Sequence, residues 1–135
     1  MYKKPKRTLW AKAHKGRVSY VPKVDTDFAF GSYALISLEA SRLTAAQIYA
    51  AELAMKRLLK RDGQIWSRVF PAIPVSKKPQ QVRMGKGKGA IDHWIARIRP
   101  GSFLFEIELE NPILAERALA VAASKLPFKT KVLKQ

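Results

Sequence analysis

The residues best suited by type and spacing to chemistry lie in residues 82–89, Val-Arg-Met-Gly-Lys-Gly-Lys-Gly, which we call the glycine loop. Three glycines alternate with two lysines, and Arg83 precedes them. Glycine admits positive φ and lets another backbone approach closely. Backbone N–H groups and cationic side chains can together face one anionic surface. The glycine loop therefore predicts contact with a phosphate backbone.

The glycine loop does not match the motifs that bind free nucleotides. A nucleotidase phosphate-binding loop needs Gly-Lys followed by Ser or Thr, whereas Lys86 and Lys88 are each followed by glycine. The dinucleotide spacing Gly-x-Gly-x-x-Gly is not present either. We therefore expect no nucleotide cofactor at this loop.

Catalytic and metal-binding side chains are scarce. The sequence contains two histidines and no cysteine. His14 lies among cations, where contact with a base or phosphate is expected, and His93 beside Trp94 is typical of a packed or surface histidine. Asp25 and Asp27 are close in sequence, but no histidine or cysteine completes a ligand set. With no nucleophile elbow, the sequence predicts no enzyme, no metal and no cofactor.

Residues 1–24 are predicted to form an extended basic arm, followed by a single domain over residues 25–135. The arm has no acidic residue, and Tyr2, Trp10 and Tyr20 are interleaved with its cations. Aromatic rings can stack on bases while the cations meet phosphates. A solvated, disordered tail is the alternative interpretation, but the interleaving favours an arm docked on RNA.

The composition agrees with a globular domain that has an extended anionic partner. In 135 residues there are 26 Lys and Arg against 10 Asp and Glu, a net charge of +16, and 47% of residues are hydrophobic. Nucleic acid is the first candidate partner and an anionic membrane the second. No apolar run approaches the about 20 residues of a membrane span, and residues 44–61 fit a membrane-surface helix poorly, because this stretch is alanine-rich and its cations gather at one end. We therefore expect no membrane partner.

The apolar patterns predict an α+β fold: two helices packed on a mostly antiparallel sheet, with the basic arm and the glycine loop projecting. Thr44, with Gln47 three residues later, predicts a helix to about residue 61 that Gly63 ends. Asn111-Pro112 predicts a second helix to about Ser124. Strands are predicted over residues 28–38, with Gly31 as a bulge, and over 64–70, 91–99, 102–109 and 128–133.

Three details of the strands carry further expectations. Residues 91–99 and 102–109 are predicted to pair around a turn at Pro100-Gly101. Prolines make residues 71–79 stiff and extended. Glu106, Glu108 and Glu110 alternate along the strand, and we interpret them as the solvent-exposed face of a half-buried sheet.

Two long motifs and several short ones give the chain a family resemblance. The long motifs are Arg83-Met-Gly-Lys-Gly-Lys-Gly89, followed by Trp94, and Gly63-Gln-Ile-Trp66-x-Arg68-Val-Phe-Pro71. The short motifs are Pro5-Lys-Arg-Thr8, His14-Lys-Gly-Arg17, Phe30-Gly-Ser32, Arg42-Leu-Thr-Ala45, Gly101-x-x-Leu104-Phe-Glu106 and Lys125-Leu-Pro127-x-Lys129-Thr130. Through them the chain resembles, from Pro5 to about Lys131, the bacterial-type family of large-subunit ribosomal protein sixteen.

The resemblance implies a structural constituent of the large ribosomal subunit, not an enzyme. It implies binding to large-subunit rRNA near the peptidyl transferase centre and the A-site tRNA path, and support of translation and subunit assembly. The implied partners are rRNA, other ribosomal proteins and, through the glycine loop, tRNA. The candidate rRNA-binding residues are Lys3, Lys4, Lys6, Arg7, Trp10, Lys12, His14, Lys15, Arg17, Lys60, Arg61 and Arg68. The candidate residues near tRNA and the peptidyl transferase centre are Arg83, Met84, Gly85, Lys86, Gly87, Lys88 and Gly89.

The first helix departs from the family pattern. The family usually has arginines where this chain has Ala46, Glu52 and Leu53, and an apolar residue in place of Ser67. Replacement of RNA contacts by protein contacts is expected in mitochondrial ribosomes, and Met1 without an evident presequence favours synthesis inside the organelle. We therefore expect a mitochondrial ribosomal protein, with a bacterial cytoplasmic or plastid ribosome as the alternative location. A free-standing RNA- or DNA-binding protein is the alternative function.

Overall fold

The structure is a computed structural model that describes residues 4–18, 27–60 and 62–135. Within these residues the chain forms two helices and seven strands, and every strand pair is antiparallel. The elements are β1 Tyr33–Ser37, β2 Ser41–Thr44, α1 Ala45–Leu59, β3 Gln64–Ser67, β4 Ile73–Lys77, β5 Ala90–Ile98, β6 Phe103–Glu108, α2 Pro112–Ala123 and β7 Thr130–Lys134. The predicted α+β fold is confirmed. The expectations for Tyr2, Lys3, Tyr20, Asp25 and Arg61 lie outside the described residues.

The strands form two sheets, whereas the sequence predicted one. The first sheet has the order β3-β6-β1-β7, and the second sheet has the order β2-β5-β4. The predicted pairing of residues 91–99 with 102–109 is wrong, because β5 pairs with β2 and β4 while β6 pairs with β1 and β3. Pro100 and Gly101 instead carry the chain from one sheet to the other. Gly101 has a φ of +83° and donates its N–H to the carbonyl of Ser37 at 2.6 Å.

Helix α1 begins as predicted. The Thr44 hydroxyl accepts from the Gln47 N–H at 3.2 Å, and the Gln47 side-chain oxygen accepts from the Thr44 N–H at 2.9 Å. These two bonds satisfy backbone donors that the first turn leaves unpaired. The helix ends at Leu59, earlier than predicted, because Lys60 adopts a left-handed φ of 48°. Gly63, with a φ of +69°, lies in the turn before β3.

Helix α2 packs against α1 and covers the first sheet. Asn111 caps it by accepting from the N–H groups of Ile113 and Leu114, and Pro112 occupies its first turn, as predicted. Its buried side chains are mostly small, which lets the two helices approach closely. They are Ala115, Ala118, Leu119 and Ala122. Neither of the described helices is long and apolar enough to cross a membrane.

The start of β1, the position of its irregularity, and the strands β2 and β4 differ from the prediction. Strand β1 begins at Tyr33 rather than at residue 28, and its irregularity lies between Leu35 and Ile36 rather than at Gly31. Strand β4 lies in the stretch expected to be stiff and extended. It is an edge strand in which Pro74 stands opposite Trp94. An edge position tolerates proline because the missing N–H can face away from the sheet.

Candidate nucleic-acid interface

The described part of the basic arm, residues 4–18, is fastened to the second sheet by two arginines. Arg97 on β5 donates from Nε to the carbonyl of Lys15 at 2.9 Å and from Nη2 to that of His14 at 3.1 Å. Arg42 on β2, directly opposite Arg97, donates to the carbonyl of Gly16 at 2.6 Å. Each guanidinium holds arm backbone rather than an acid. The second sheet therefore positions the arm.

Gly16 allows the closest part of this contact. Its φ is +65°, and a Cβ at that position would lie 2.6 Å from the Nη2 atom of Arg97. Glycine avoids both the cost of the left-handed conformation and the clash. The contact with Arg97 and the positive φ therefore explain why the motif His14-Lys-Gly-Arg17 has a glycine at position 16.

The glycine loop connects β4 to β5 in the second sheet. Three successive residues, Gly85, Lys86 and Gly87, have positive φ values of 102°, 53° and 86°. None of the described residues lies within 4 Å of a Cβ built on Gly85 or Gly87. The side chain of Lys78 donates to the carbonyl of Gly85 at the start of the turn. The tip of the loop is thus a tight left-handed turn with open space around it.

The arm and the glycine loop contact each other through two lysines. Lys12 donates from Nζ to the carbonyl of Lys88 at 2.6 Å, and Lys88 donates from Nζ to the carbonyl of Ala13 at 2.8 Å. The sequence predicted two basic segments that project, but it did not predict this contact. The structure therefore brings the two predicted basic regions to one side of the second sheet.

The predicted arm and loop residues that the structure describes are largely exposed. Trp10 is 79% exposed and Met84 is 91% exposed. The exposed members are Lys4, Lys6, Arg7, Trp10, Lys12, His14, Lys15, Arg17, Arg83, Met84, Gly85, Lys86, Gly87 and Lys88, while Gly89 is half-buried. Neither residues 1–24 nor the glycine loop contains an acid. This surface is suited to a polyanion.

A groove runs between the arm and the start of α1. Its volume is about 860 Å³. Its lining comes from arm residues 4–8, from Thr44 to Ala46, and from residues 91–94 of β5. The one acid in the lining, Asp92, lies 2.8 Å from the ring nitrogen Nδ1 of His93. Among the described residues no group of three or more His, Cys, Asp or Glu could hold a metal ion.

The sequence matches the family described as ribosomal protein L16p/L10e over residues 5–133. The chain belongs to this family. It is similar to large ribosomal subunit protein uL16 of Gluconacetobacter diazotrophicus, 53% identical over 127 residues that cover 94% of this chain and 92% of the relative. The uL16 protein of Paracoccus denitrificans is 50% identical over 128 residues, covering 95% and 93%. That of Rhodopseudomonas palustris is 51% identical over 127 residues, covering 94% and 93%. The predicted family is confirmed.

Two predicted rRNA-binding residues of this L16p/L10e chain lie away from the arm and the glycine loop. Lys60 is exposed just after α1. Arg68 follows β3, and its side chain is only 23% exposed because its guanidinium is paired with Glu106. The guanidinium carbon also lies 5.6 Å from the ring centre of Phe30 and 5.8 Å from that of Phe103. An RNA contact by Arg68 stays a prediction.

Glu106 corrects the interpretation of the three glutamates. It is fully buried, whereas Glu108 and Glu110 are exposed as expected for a wet face. One oxygen of Glu106 accepts the backbone N–H groups of Ala29 at 3.2 Å, Phe30 at 2.7 Å and Gly31 at 3.1 Å. Burial by itself would raise the pKa of Glu106. The hydrogen bonds from residues 29–31 and the Arg68 charge outweigh it and hold the pKa below its usual 4.5.

Sequence reasoning on this family member missed the residues that position the surface. Arg42, Arg97 and Lys78 were not among the predicted site residues, yet each donates to backbone of the arm or the glycine loop. A signal was present in Arg97, which occupies a polar position of a predicted strand close to the glycine loop. Its target could not be read from the sequence, because His14 and Lys15 lie more than 80 positions earlier.

Proposed function

We propose that the chain is a structural constituent of the large ribosomal subunit and binds large-subunit rRNA. The observation that carries the proposal is the similarity, over more than nine-tenths of the chain, to proteins named large ribosomal subunit protein uL16. The family consists of structural ribosomal components, and the chain is not an enzyme. Family membership gives no support to the alternative of a free-standing RNA- or DNA-binding protein.

The arm and the glycine loop are the proposed rRNA contacts. The cations of the arm would neutralise closely packed phosphates, and the exposed ring of Trp10 would stack on a base or fill a groove. Open space surrounds Gly85 and Gly87, so RNA would be able to approach their backbone closely, at a distance where a side chain would clash with the RNA. The protein would act by position, holding RNA segments in register without a chemical step. Lys3 and Arg61 are part of this proposal, although they lie outside the described residues.

The glycine loop is the part proposed to lie near the peptidyl transferase centre and the A-site tRNA path. Support comes from the family resemblance and from the exposure of residues 81–88. Contact of Arg83 to Gly89 with tRNA belongs to the same proposal. Lys60 and Arg68 would form a second, smaller rRNA contact, with Arg68 using the exposed part of its side chain.

For the location we propose a mitochondrial ribosome, with a bacterial or plastid ribosome as the alternative. The support is the surface of α1, where Ala46 is exposed, Leu53 is half-buried, and Glu52 is paired with Lys56 at 2.8 Å. These three positions carry no cation and suit contact with a neighbouring protein, although Lys56 and Arg57 at the end of the same helix are exposed. The relatives described above are bacterial proteins, which is compatible with the bacterial alternative.

Sedimentation of a native lysate tests the proposal. The lysate is run on sucrose gradients at moderate and at high salt, and this chain is followed by mass spectrometry beside the rRNA of each subunit. We expect it to travel with the large subunit and to resist the salt wash. A chain that stays at the top of both gradients would overturn the ribosomal assignment. Gradients of purified mitochondria and of the remaining lysate decide the location.

A further inference from the structure

The reciprocal contact between Lys12 and Lys88 has an unusual form. Each ammonium group donates to a main-chain carbonyl of the other segment, at 2.6 and 2.8 Å. The two segments are 76 positions apart along the chain. A single exposed hydrogen bond restrains little, but two bonds that run in opposite directions oppose separation of the same two backbones.

One side of this contact is fixed to the domain. Arg97 holds the carbonyls of His14 and Lys15, and Arg42 holds that of Gly16. Both arginines belong to paired strands of the second sheet. The arm segment that receives the Lys88 ammonium therefore has a defined position on the sheet.

The other side of the contact has little support of its own. Residues 81–88 are exposed, and open space surrounds Gly85 and Gly87. Gly89 is the exception, since its Cβ position lies 2.6 Å from the carbonyl oxygen of Lys77. Two side chains from outside the loop donate to its backbone. Lys78 donates to the carbonyl of Gly85, and Lys12 of the arm donates to the carbonyl of Lys88. Contact with the arm therefore restrains the end of the glycine loop that leads into β5.

We propose that Lys12 and Lys88 are positioning residues that form an arm–loop clasp, through which the fastened arm sets the position of the glycine loop. The biological use of the clasp rests on the proposed function, because the loop is the segment presented to RNA. No acid in residues 1–24 or in the glycine loop neutralises either ammonium. The clasp thus fixes the loop and still leaves two positive charges facing an anionic partner.

The clasp is tested on the full chain without RNA, by ¹⁵N relaxation of backbone amides. In Lys12→Met we expect the order parameters of Gly87 and Lys88 to fall from about 0.85 to below about 0.6, although the substitution lies in the arm. Lys12→Arg keeps a donor and should leave them near the wild-type values. Lys88→Met removes the second bond and should also lower the order parameter of Gly87, whereas His14 and Lys15, held by Arg97, should stay ordered.

Two matched variants separate the clasp from a loss of charge. Lys6→Met removes one arm cation, and Lys86→Met removes one loop cation. Neither lysine hydrogen-bonds within the described residues, so neither substitution should lower the order of the glycine loop. Equal loop order in Lys12→Met and Lys6→Met would overturn the clasp, as would unchanged loop order in Lys88→Met. Because these measurements use free protein, their outcome is independent of the gradient experiment that tests the ribosomal role.

Discussion

The carboxylate of Glu106 and the guanidinium of Arg68 form an ion pair whose acidic member is fully buried. The other oxygen of the carboxylate accepts three successive backbone N–H groups from residues 29–31. One buried charge thereby joins β6, the residue that follows β3, and the segment that leads into β1. This arrangement therefore holds residues 29–31, which lie just before β1, against β6.

Replacing Glu106 by Gln should destabilise the domain strongly. The amide keeps the volume but leaves the Arg68 guanidinium without its anion and weakens three charge-assisted hydrogen bonds. We expect the free energy of unfolding in urea to fall by about 2–4 kcal/mol. Glu108→Gln is the matched control and should cost less than about 1 kcal/mol, because Glu108 is exposed and, among the described residues, accepts only from Ser32. Equal losses in the two variants would contradict this assignment.

The stabilisation by Glu106 should disappear in acid. Its pKa in the folded chain is below the usual 4.5, so folding favours the ionised form. The contribution is fully present above the pKa of the unfolded state, and it is lost as pH falls through the lower pKa of the folded state. Urea midpoints measured from pH 7 downward should therefore decline more steeply below about pH 4.5 in the wild type than in Glu106→Gln. Parallel declines would argue against a depressed pKa.

Gly31→Ala should destabilise the domain through a backbone clash. A Cβ there would lie 2.6 Å from the carbonyl oxygen of Ile107, which β6 holds in place. We expect a loss of about 1–3 kcal/mol in urea denaturation. Gly85→Ala is the comparison, since it meets open space and should show only the strain of its positive φ, about 1 kcal/mol. A smaller loss for Gly31→Ala than for Gly85→Ala would refute the clash.

Removing the cations of the glycine loop should spare the fold and weaken RNA binding. Arg83, Lys86 and Lys88 are exposed, so their joint replacement by Ala should cost less than about 1.5 kcal/mol in thermal unfolding. Binding of an rRNA fragment should weaken more than in a control lacking three exposed cations near the C-terminus, Lys125, Lys129 and Lys131. A large drop in melting temperature, or equal losses of affinity, would count against a projecting RNA-binding loop.

Deleting residues 1–17 should weaken rRNA binding and flatten its dependence on salt. Each lost phosphate contact reduces the slope of log K against log salt by about 0.7–0.9. Fluorescence anisotropy over a series of salt concentrations measures the slope, and circular dichroism checks that the shortened chain is folded. An unchanged slope would show that the arm does not contact phosphates.

The elements that local sequence could predict are those that neighbouring residues determine. The Thr44–Gln47 capping box and the Asn111 cap were predicted correctly because each is completed within one helical turn. The two-sheet arrangement was not predicted, because Pro100-Gly101 also suits a hairpin. What separates β5 from β6 is their pairing with strands far away in the sequence.

The same distinction applies to the candidate site. The types of its cations and the exposure of the glycine loop followed from composition and motif. The burial of Glu106 could not follow from its alternation with Glu108, because its backbone donors lie 75 to 77 positions earlier. The anchoring of the arm by Arg42 and Arg97 likewise depends on tertiary structure.

The position of β1 in the first sheet has a consequence for the nascent chain. This strand lies between β6 and β7, so it has neither neighbour until residues beyond 100 have been synthesised. Pairing over such separations makes folding slow and late. The basic arm therefore emerges well before the domain can close. We expect cellular polyanions to bind the arm during translation. The new chain would therefore need protection from them before it leaves the ribosome that makes it.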